Sequence, residues 1–265
     1  MKYSISNLAW GHTPLDQIIP KLANAGLHGV EIAPTAIWPD LNQVSDQEII
    51  EFKEYLEGHN LIVSGIQSLL YGHPELQLFD QNCWKDLRMH LEKFIRIGGL
   101  LRADVAVFGS PKNRVKGSLD CNDADDLAAI FLKQLIPCLE QNSIVLTLEP
   151  NAPNYGADYL TTYEDTLRLS QRINSENIRP QIDTGCLWMV GEEPIKAFEI
   201  LIPHHIHIST PNLGDVPGNW DFDGLFEKIK ASDYSGWLVI EKLSNSIADS
   251  LSSGRWLQFE MGAKN

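Results

Sequence analysis

A short apolar run, residues 143–148, ends in Glu149 and constrains the fold more than any other stretch of the chain. Five or six consecutive apolar and β-branched residues are typical of a strand buried on both faces, and such strands occur almost only in parallel sheets covered by helices. Three later runs repeat the pattern and carry Asp183, His207 and Glu241 near their ends. The chain therefore has several predicted parallel strands that end in reactive side chains, which is where α/β barrels and open α/β sheets place their active sites.

Strand and helix patterns alternate along the whole chain. Strands are predicted at 3–9, 29–33, 61–67, 104–108, 143–148, 179–183, 204–208 and 236–241, and helices at 13–25, 45–58, 82–101, 124–142, 162–173, 193–202, 222–232 and 247–262. Thr13 before Pro14 indicates the start of the first helix, and Ser45 with Glu48 forms a capping box for the second. Eight strand–helix units of about 33 residues each fit the length and favour closure into a barrel. We predict an α/β fold with a single (β/α)8 TIM barrel over residues 1–265.

The composition of the chain indicates which classes of partner it can bind and in which cellular compartment it is expected. The formal charge of −14 argues against binding to nucleic acid or to an anionic membrane, which both attract excess Lys and Arg, but it permits a small anionic substrate. No apolar run approaches the roughly 18 residues that span a bilayer, and no signal peptide is recognisable. Without CxxC spacing, four thiols are expected to stay reduced in a cytoplasmic protein: Cys83, Cys121, Cys138 and Cys186. A homo-oligomer is possible.

Alternation of side chains along each strand predicts that four polar groups meet at the mouth of the barrel: Glu149, Asp183, His207 and Glu241. Three carboxylates and one imidazole form an oxygen-rich site, for which we expect Mn²⁺, with Mg²⁺, Co²⁺ or Zn²⁺ as alternatives. Vicinal oxygens of a sugar or hydroxy-ketone would complete the coordination, and the cation would favour an enediolate. The competing explanation is four separate loop caps or ion pairs. Buried carboxylates are costly without a partner, which weighs against it.

Four motifs connect these residues with a known family. LEPN at 148–151, IDTG at 182–185, HIH at 205–207 and IE at 240–241 resemble the xylose-isomerase-like barrel superfamily, and most closely its sugar-phosphate isomerase and epimerase branch, which includes tagatose and psicose 3-epimerases. The resemblance covers essentially the whole chain. It implies that the same four residues bind a catalytic divalent metal, and that Glu149 and Glu241 act as acid and base on opposite faces of the substrate carbon. The chain departs from the family at Cys186, where many relatives have His, and at Tyr155, where the epimerases have Glu.

A cation in the loop after the fourth strand would help to bind a phosphorylated substrate, because three carboxylates leave a divalent ion with a net charge of about −1. Lys112 and Arg114 are the candidates. The alternative for both residues is a solvated surface loop.

Other residues are predicted near the mouth because they point inward on a strand or follow a strand end. Trp188 is predicted to line the mouth and to contact a sugar face. Cys186 lies beside the predicted metal site, but no base that would make it a nucleophile is recognisable. The remaining candidates are as well explained as satisfied core groups or covering aromatic residues as by substrate contact: Glu31, Gln67, His205, Trp10 and Trp220.

Together these features predict a metal-dependent isomerase or epimerase that removes a proton next to the carbonyl of a ketose, a sugar acid or a related polyol ketone. A metal-dependent dehydratase of the inosose type shares this first step and stays open as an alternative. An apurinic endonuclease with three zinc ions needs additional histidines, whereas strands three and four end in Gln67 and Phe108. A non-catalytic binding barrel is the third alternative.

Overall fold

Eight parallel strands form a closed barrel in which each strand pairs with the next and the last pairs with the first. The computed structural model describes residues 1–244 and 246–262. The strands are β1 Lys2–Ser6, β2 Gly29–Ile32, β3 Ile62–Ile66, β4 Val105–Phe108, β5 Val145–Leu148, β6 Ile178–Asp183, β7 His205–Ile208 and β8 Trp237–Ile240. The predicted (β/α)8 TIM barrel is confirmed.

Helices surround the barrel and fill its connections. They are α1 Leu15–Asn24, α2 Pro34–Ile37, α3 Asp46–Glu57, α4 Trp84–Leu101, α5 Cys121–Lys133, α6 Ile136–Asn142, α7 Tyr163–Ile173, α8 Thr184–Met189, α9 Pro194–Ile200, α10 Asp223–Lys230 and α11 Ile247–Glu260. Of the described helices, none is both long enough and apolar enough to cross a membrane.

Local sequence signals explain where several helices begin. The predicted capping box at Ser45 is present, because its hydroxyl accepts from the Glu48 backbone N–H and the Glu48 carboxylate accepts from the Ser45 backbone. The predicted cap at Thr13 is wrong: Pro14 precedes the first helical residue and makes no side-chain cap. The single helix predicted over 124–142 is also wrong. It is two helices, α5 and α6, and Pro137 stands in the first turn of α6, where its missing N–H costs least.

The inside of the barrel is unusually polar for a buried core. Apolar side chains fill the layer between strands and helices, whereas many inward-facing groups are polar and at most 4% exposed: Ser4, Ser6, Glu31, Ser64, Gln67, Thr147, Gln181, His205 and His207. Several of them form hydrogen bonds with one another. The hydroxyls of Ser4 and Ser64 are 2.7 Å apart, and the Gln67 amide donates to the Ser6 hydroxyl over 2.7 Å.

The strand register brings the ends of β5 to β8 to one rim. Asp183 stands opposite His207 in the β6–β7 pairing. The backbone N–H of Glu149 donates to Phe108 and that of Glu241 donates to Ile208, so both glutamates extend the ladder by one residue beyond their strands. Parallel strands present their carboxyl ends on the same side, and side chains far apart in sequence therefore meet there.

Candidate metal centre

Four side chains converge at the carboxyl ends of β5 to β8: Glu149, Asp183, His207 and Glu241. Each offers one ligand atom, and these atoms all lie within 4.8 Å of one another. The Nδ1 atom of His207 lies 2.8 Å from Glu149 Oε1, 3.2 Å from Glu241 Oε2 and 3.8 Å from Asp183 Oδ2. All four residues are buried, and the two glutamates, each 7% exposed, are the most accessible.

Amide donors fix the Glu149 carboxylate from both sides. Gln181 Nε2 donates to Oε1 over 3.0 Å, and Asn151 Nδ2 donates to Oε2 over 3.0 Å. Gln181 is itself held by the Thr147 hydroxyl, which donates to its amide oxygen over 2.6 Å. Arg114 donates from one nitrogen to the Glu149 carbonyl and to Asn151 Oδ1, over 2.7 and 2.8 Å. The position of this carboxylate is therefore set by a network of buried hydrogen bonds.

Asp183 is held through one of its two oxygens. Its Oδ1 accepts from the Ser209 hydroxyl and from the Cys186 backbone N–H, both over 2.7 Å. The second contact also caps α8, for which Asp183 is the N-cap residue. The other oxygen, Oδ2, is the one that faces His207.

A second carboxylate lies behind the imidazole of His207. Glu31 Oε1 is 2.9 Å from His207 Nε2, and Glu31 Oε2 is 2.8 Å from His205 Nε2. The Gln67 amide donates to Glu31 Oε1 over 3.0 Å. Glu31 lies on the Nε2 side of the His207 ring, so Nδ1 is the nitrogen that faces Glu149, Asp183 and Glu241.

The contacts within this cluster fit a bound cation. Both ring nitrogens of His207 are buried and have no hydrogen-bond partner of acceptable geometry, although carboxylate oxygens lie within 2.9 Å of each. Among the described residues, no lysine or arginine forms an ion pair with the three acids around it. Buried carboxylates that face one another are unfavourable without a compensating charge. The donors Glu149, Asp183, His207 and Glu241 suit a hard divalent ion such as Mn²⁺, Mg²⁺ or Co²⁺.

Electrostatics in the cluster reflect this crowding of negative charge. Burial raises the pKa of Glu241 to about 7; His207 opposes the shift, and Glu149 and Asp183 add to it. Burial disfavours the charged imidazole of His207, but the carboxylates of Glu31 and Glu241 raise its pKa well above the usual value. The negative charge that raises the pKa of His207 would also attract a metal ion to this position.

A cavity of about 530 Å³ opens over the cluster. Its walls are formed by Pro111, Lys112, Glu149, Asn151, Asn154, Tyr155, Gly156, Asp183, Cys186, Leu213 and Glu241. Its size lies within the usual range for small-molecule sites, and its position is the one at which TIM barrels carry out their chemistry.

Comparison with models of protein families identifies the family of this chain. Residues 19–258 match the sequence model described as the xylose isomerase-like TIM barrel. The chain belongs to this family. The resemblance predicted from the four motifs is confirmed. No curated protein matches the chain.

Solved structures of this family share the fold at low sequence identity. An L-ribulose 3-epimerase has a TM-score of 0.81 at 15% identity, over 98% of this chain and 94% of that chain. A D-psicose 3-epimerase in the presence of D-fructose has a TM-score of 0.79 at 15% identity, over 99% and 100%. A 3-keto-D-glucoside 4-epimerase from E. coli has a TM-score of 0.77 at 18% identity, over 98% and 99%.

Of the predicted substrate contacts, this xylose isomerase-like barrel places Lys112 and Cys186 in the cavity wall. Lys112 is exposed, and Cys186 is 4% exposed with a thiol pKa raised well above its usual value by burial and by Asp183. A thiol in this state is a poor nucleophile, in agreement with the absence of a recognisable base.

Arg114 and Trp10 have different positions from those predicted. Arg114 is fully buried and neither lies on a solvated loop nor points into the cavity, because its guanidinium donates to the Glu149 and Leu160 carbonyls and to Asn151. Trp10 is 2% exposed and packs in the hydrophobic core. Both predictions of substrate contact are thus corrected to structural roles.

The remaining predicted contacts lie outside the cavity wall. Glu31, Gln67 and His205 are buried and bind one another inside the barrel. Trp188 stacks on Trp220, with ring centroids 4.7 Å apart, and meets Phe222 edge-on at 4.9 Å. The two tryptophans therefore form an aromatic cluster, and neither belongs to the wall of the cavity over the candidate metal centre.

Three residues of the site were not singled out from the sequence as site residues: Asn151, Gln181 and Ser209. Asn151 is part of the LEPN motif, and the alternation of side chains along β6 places Gln181 on the same face as Asp183. Ser209 follows His207 by two residues and shares its inward direction. In each case the sequence predicts the inward position of the residue, but it does not identify the hydrogen-bond partner.

Proposed function

We propose that this protein is a divalent-metal-dependent sugar isomerase or epimerase that acts on a ketose or a related polyol ketone. The observation that carries this proposal is the meeting of one imidazole and three carboxylates within 4.8 Å, beside a cavity at the mouth of the barrel. The names of the similar structures give support, since they include a ribulose 3-epimerase, a psicose 3-epimerase and a ketoglucoside 4-epimerase.

Glu149 and Glu241 are the proposed acid and base. Both line the cavity and are 7% exposed, so a substrate carbon can reach them from the solvent side. Asp183 is assigned to the metal alone, because it is the least exposed of the three acids, at 3%, and also caps α8. One glutamate removes the proton next to the carbonyl and the other returns a proton on the opposite face, and such transfer typically contributes about 10² to 10⁴ in rate.

The metal would be held by Glu149, Asp183, His207 and Glu241, with Mn²⁺ as the first candidate and Mg²⁺, Co²⁺ or Zn²⁺ as alternatives. When bound, a divalent ion would supply Lewis-acid polarisation of the carbonyl of a ketose. Glu31 lies behind the ring of His207, and Gln181 and Asn151 fix the Glu149 carboxylate. The residues of the chain thus hold the proton-transferring groups in place before substrate arrives.

Proton exchange with heavy water tests the proposal. The protein is loaded with Mn²⁺ and incubated in D₂O with D-fructose, D-psicose or D-tagatose, and the sugars are followed by proton NMR and mass spectrometry. We expect one deuterium to enter next to the carbonyl while the carbon skeleton is retained. The double variant Glu149→Gln, Glu241→Gln is the matched control and should show no exchange.

Further assays with an inosose, with abasic DNA and by metal analysis separate the alternatives. Loss of water from an inosose or a ketose identifies a dehydratase and contradicts isomerisation as the main reaction. Cleavage of abasic DNA by the pure protein identifies an endonuclease, and a folded protein that neither retains metal nor exchanges protons is a non-catalytic barrel.

A further inference from the structure

We infer that the substrate carries a second, uncharged sugar ring, which occupies a separate cavity beside the metal centre. This inference rests on the proposed function and extends it, because it names the class of substrate. The second cavity measures about 410 Å³ and lies between the loops that follow β3 and β4. It shares two wall residues, Pro111 and Lys112, with the cavity over the metal centre. The two cavities therefore adjoin at Pro111 and Lys112, and a ligand that fills both would pass these two residues.

Hydrogen bonds hold together the two loops that form the second cavity. Asn113 is 6% exposed and joins its two loops: the amide donates to the carbonyls of His73 and Leu76 over 2.7 and 2.8 Å, and the Asn113 carbonyl accepts from the Leu78 N–H over 2.7 Å. The ring of His73 also packs against that of His90, with centroids 4.4 Å apart. A cavity held open in the free protein spares the ligand the cost of ordering its loops.

Lys112 stands between the two cavities with its ammonium available. Its stem runs along Gly156 in the loop after β5, where a Cβ atom would lie 3.3 Å from Lys112 Cγ. In the chain as described, 1–244 and 246–262, the Lys112 ammonium makes no ion pair or hydrogen bond, and its carbonyl accepts from Gln77. A lysine in this position can donate to the hydroxyls or the linking oxygen of a ligand that passes it.

The lining of the second cavity suits a sugar ring better than a phosphate group. Tyr71 contributes an aromatic ring that is 76% exposed, and Pro74 and Pro111 add apolar surface. Ser110 and His73 add hydrogen-bonding groups. A phosphate would call for several cations or a bidentate guanidinium, whereas Arg114 in the same loop is committed to buried carbonyls. An exposed aromatic face with a few polar groups matches the alternating C–H and O–H surfaces of a pyranose.

Three ligands that share one reacting half test this inference. D-fructose offers the reacting half alone, isomaltulose adds a glucosyl ring at its O6, and D-fructose 6-phosphate adds an anion at the same oxygen. Calorimetry with Mn²⁺-loaded protein measures the three dissociation constants. We expect isomaltulose to bind about tenfold more tightly than D-fructose, which corresponds to about 1.4 kcal/mol. Tyr71→Ala should reduce this ratio to about one. Phe259→Ala, which removes another exposed aromatic ring (79% exposed) from neither cavity, should leave the ratio unchanged.

The outcomes separate this inference from the proposed function. Equal affinity for isomaltulose and D-fructose, with D-fructose still exchanging protons in D₂O, overturns the second sugar site alone. Tighter binding of D-fructose 6-phosphate than of isomaltulose overturns it in favour of an anion site. Methyl α-D-glucopyranoside probes the second cavity independently by saturation-transfer NMR. A signal that Tyr71→Ala abolishes, in a protein that exchanges no ketose proton, supports the second site and overturns the proposed reaction. Absence of that signal together with absence of ketose binding overturns both.

Discussion

Glu149 and Glu241 have different hydrogen-bonding and electrostatic surroundings in the same site. Glu149 has an amide donor on each carboxylate oxygen. Glu241 has its Oε2 near the His207 ring, and burial raises its pKa to about 7. A pair of carboxyl groups in unequal surroundings is a common arrangement for acid and base roles.

Each single substitution should therefore abolish proton exchange on one face of the substrate and leave exchange on the other face. We expect Glu149→Gln and Glu241→Gln each to lower epimerisation by at least about 10²-fold, because an amide transfers no proton. Each variant should still exchange deuterium into one of the two epimers, since the remaining glutamate serves its own face. NMR of D-fructose and D-psicose incubated separately in D₂O measures this. Circular dichroism controls for folding, and near-normal epimerisation by either variant would contradict the two-base assignment.

The raised pKa of Glu241 should also be visible in the stability of the metal-free protein. Between its usual value of 4.5 and about 7, the folded state holds a proton that the unfolded state has lost, so stability decreases as pH rises through this window. The loss amounts to roughly 3 kcal/mol. Glu241→Gln lacks this group. We expect the variant and the wild type to have similar free energies of unfolding near pH 4.5, and the variant to be the more stable by roughly 3 kcal/mol at pH 8.

Urea unfolding in the presence of a chelator measures this difference. Added Mn²⁺ should remove the advantage of the variant, because the ion stabilises the charged carboxylate of the wild type. A difference that does not change with pH would show that the buried carboxyl is not the cause.

The four central donors could be predicted residue by residue because strand ends and side-chain alternation fix their direction. Arg114 could not be, since its loop gives no periodic signal and a guanidinium fits a solvated loop as well as a buried one. Its role depends on carbonyls from residues 108, 149 and 160, which only the folded chain brings together. Trp10 was misplaced for the same reason: a position beyond a strand end does not distinguish an open mouth from a packed layer.

At the scale of the element, the residue that follows β4 determines how closely the Glu149 side chain can approach this strand. Gly109 follows this strand, and a Cβ atom there would collide with Glu149 Oε2 and lie 3.3 Å from Asn151 Oδ1. The absence of a side chain lets the Glu149 carboxylate occupy the space beside β4.

Gly109→Ala should therefore damage the metal centre more than the fold. The added methyl meets the flexible end of a side chain, so the barrel can absorb it, but the Glu149 carboxylate must move. We expect Mn²⁺ affinity to decrease about tenfold, by about 1.4 kcal/mol, as measured by calorimetry or electron paramagnetic resonance. Gly58→Ala is the matched control. Its Cβ would make only ordinary contacts, the nearest at 3.4 Å, and its φ of −61° suits alanine. Equal affinities in the two variants would contradict this role for Gly109.

Most elements could be predicted because buried parallel strands and amphipathic helices leave strong periodic patterns. The break between α5 and α6 was missed, since apolar spacing continues through residues 134 and 135 and only Pro137 marks the change. The short helices α2 and α8 were missed as well. Each has fewer than seven residues, too few for a periodic pattern, and begins directly after a strand.

At the scale of the whole molecule, the pairing of β8 with β1 closes the barrel and joins its last strand to its first. The donors of the metal centre come from four consecutive strands of this ring. We therefore propose that the chain is one domain that unfolds as a unit, and that the metal centre is lost in the same event.

Calorimetric unfolding should show a single transition that moves upward with Mn²⁺. An ion that binds only the folded state at one hundred times its dissociation constant adds about 2.7 kcal/mol. The variant His207→Ala should show little of this shift, because it lacks the nitrogen at the centre of the site. Two separate transitions, or a shift of equal size in the variant, would contradict the proposal.

The division of the barrel into two halves has an evolutionary consequence. The candidate metal ligands follow β5 to β8, whereas Ser68, Leu70, Tyr71 and His73 of the second cavity follow β3. Substitutions in this loop can thus change which ligands the protein accepts during evolution without altering the four candidate metal ligands.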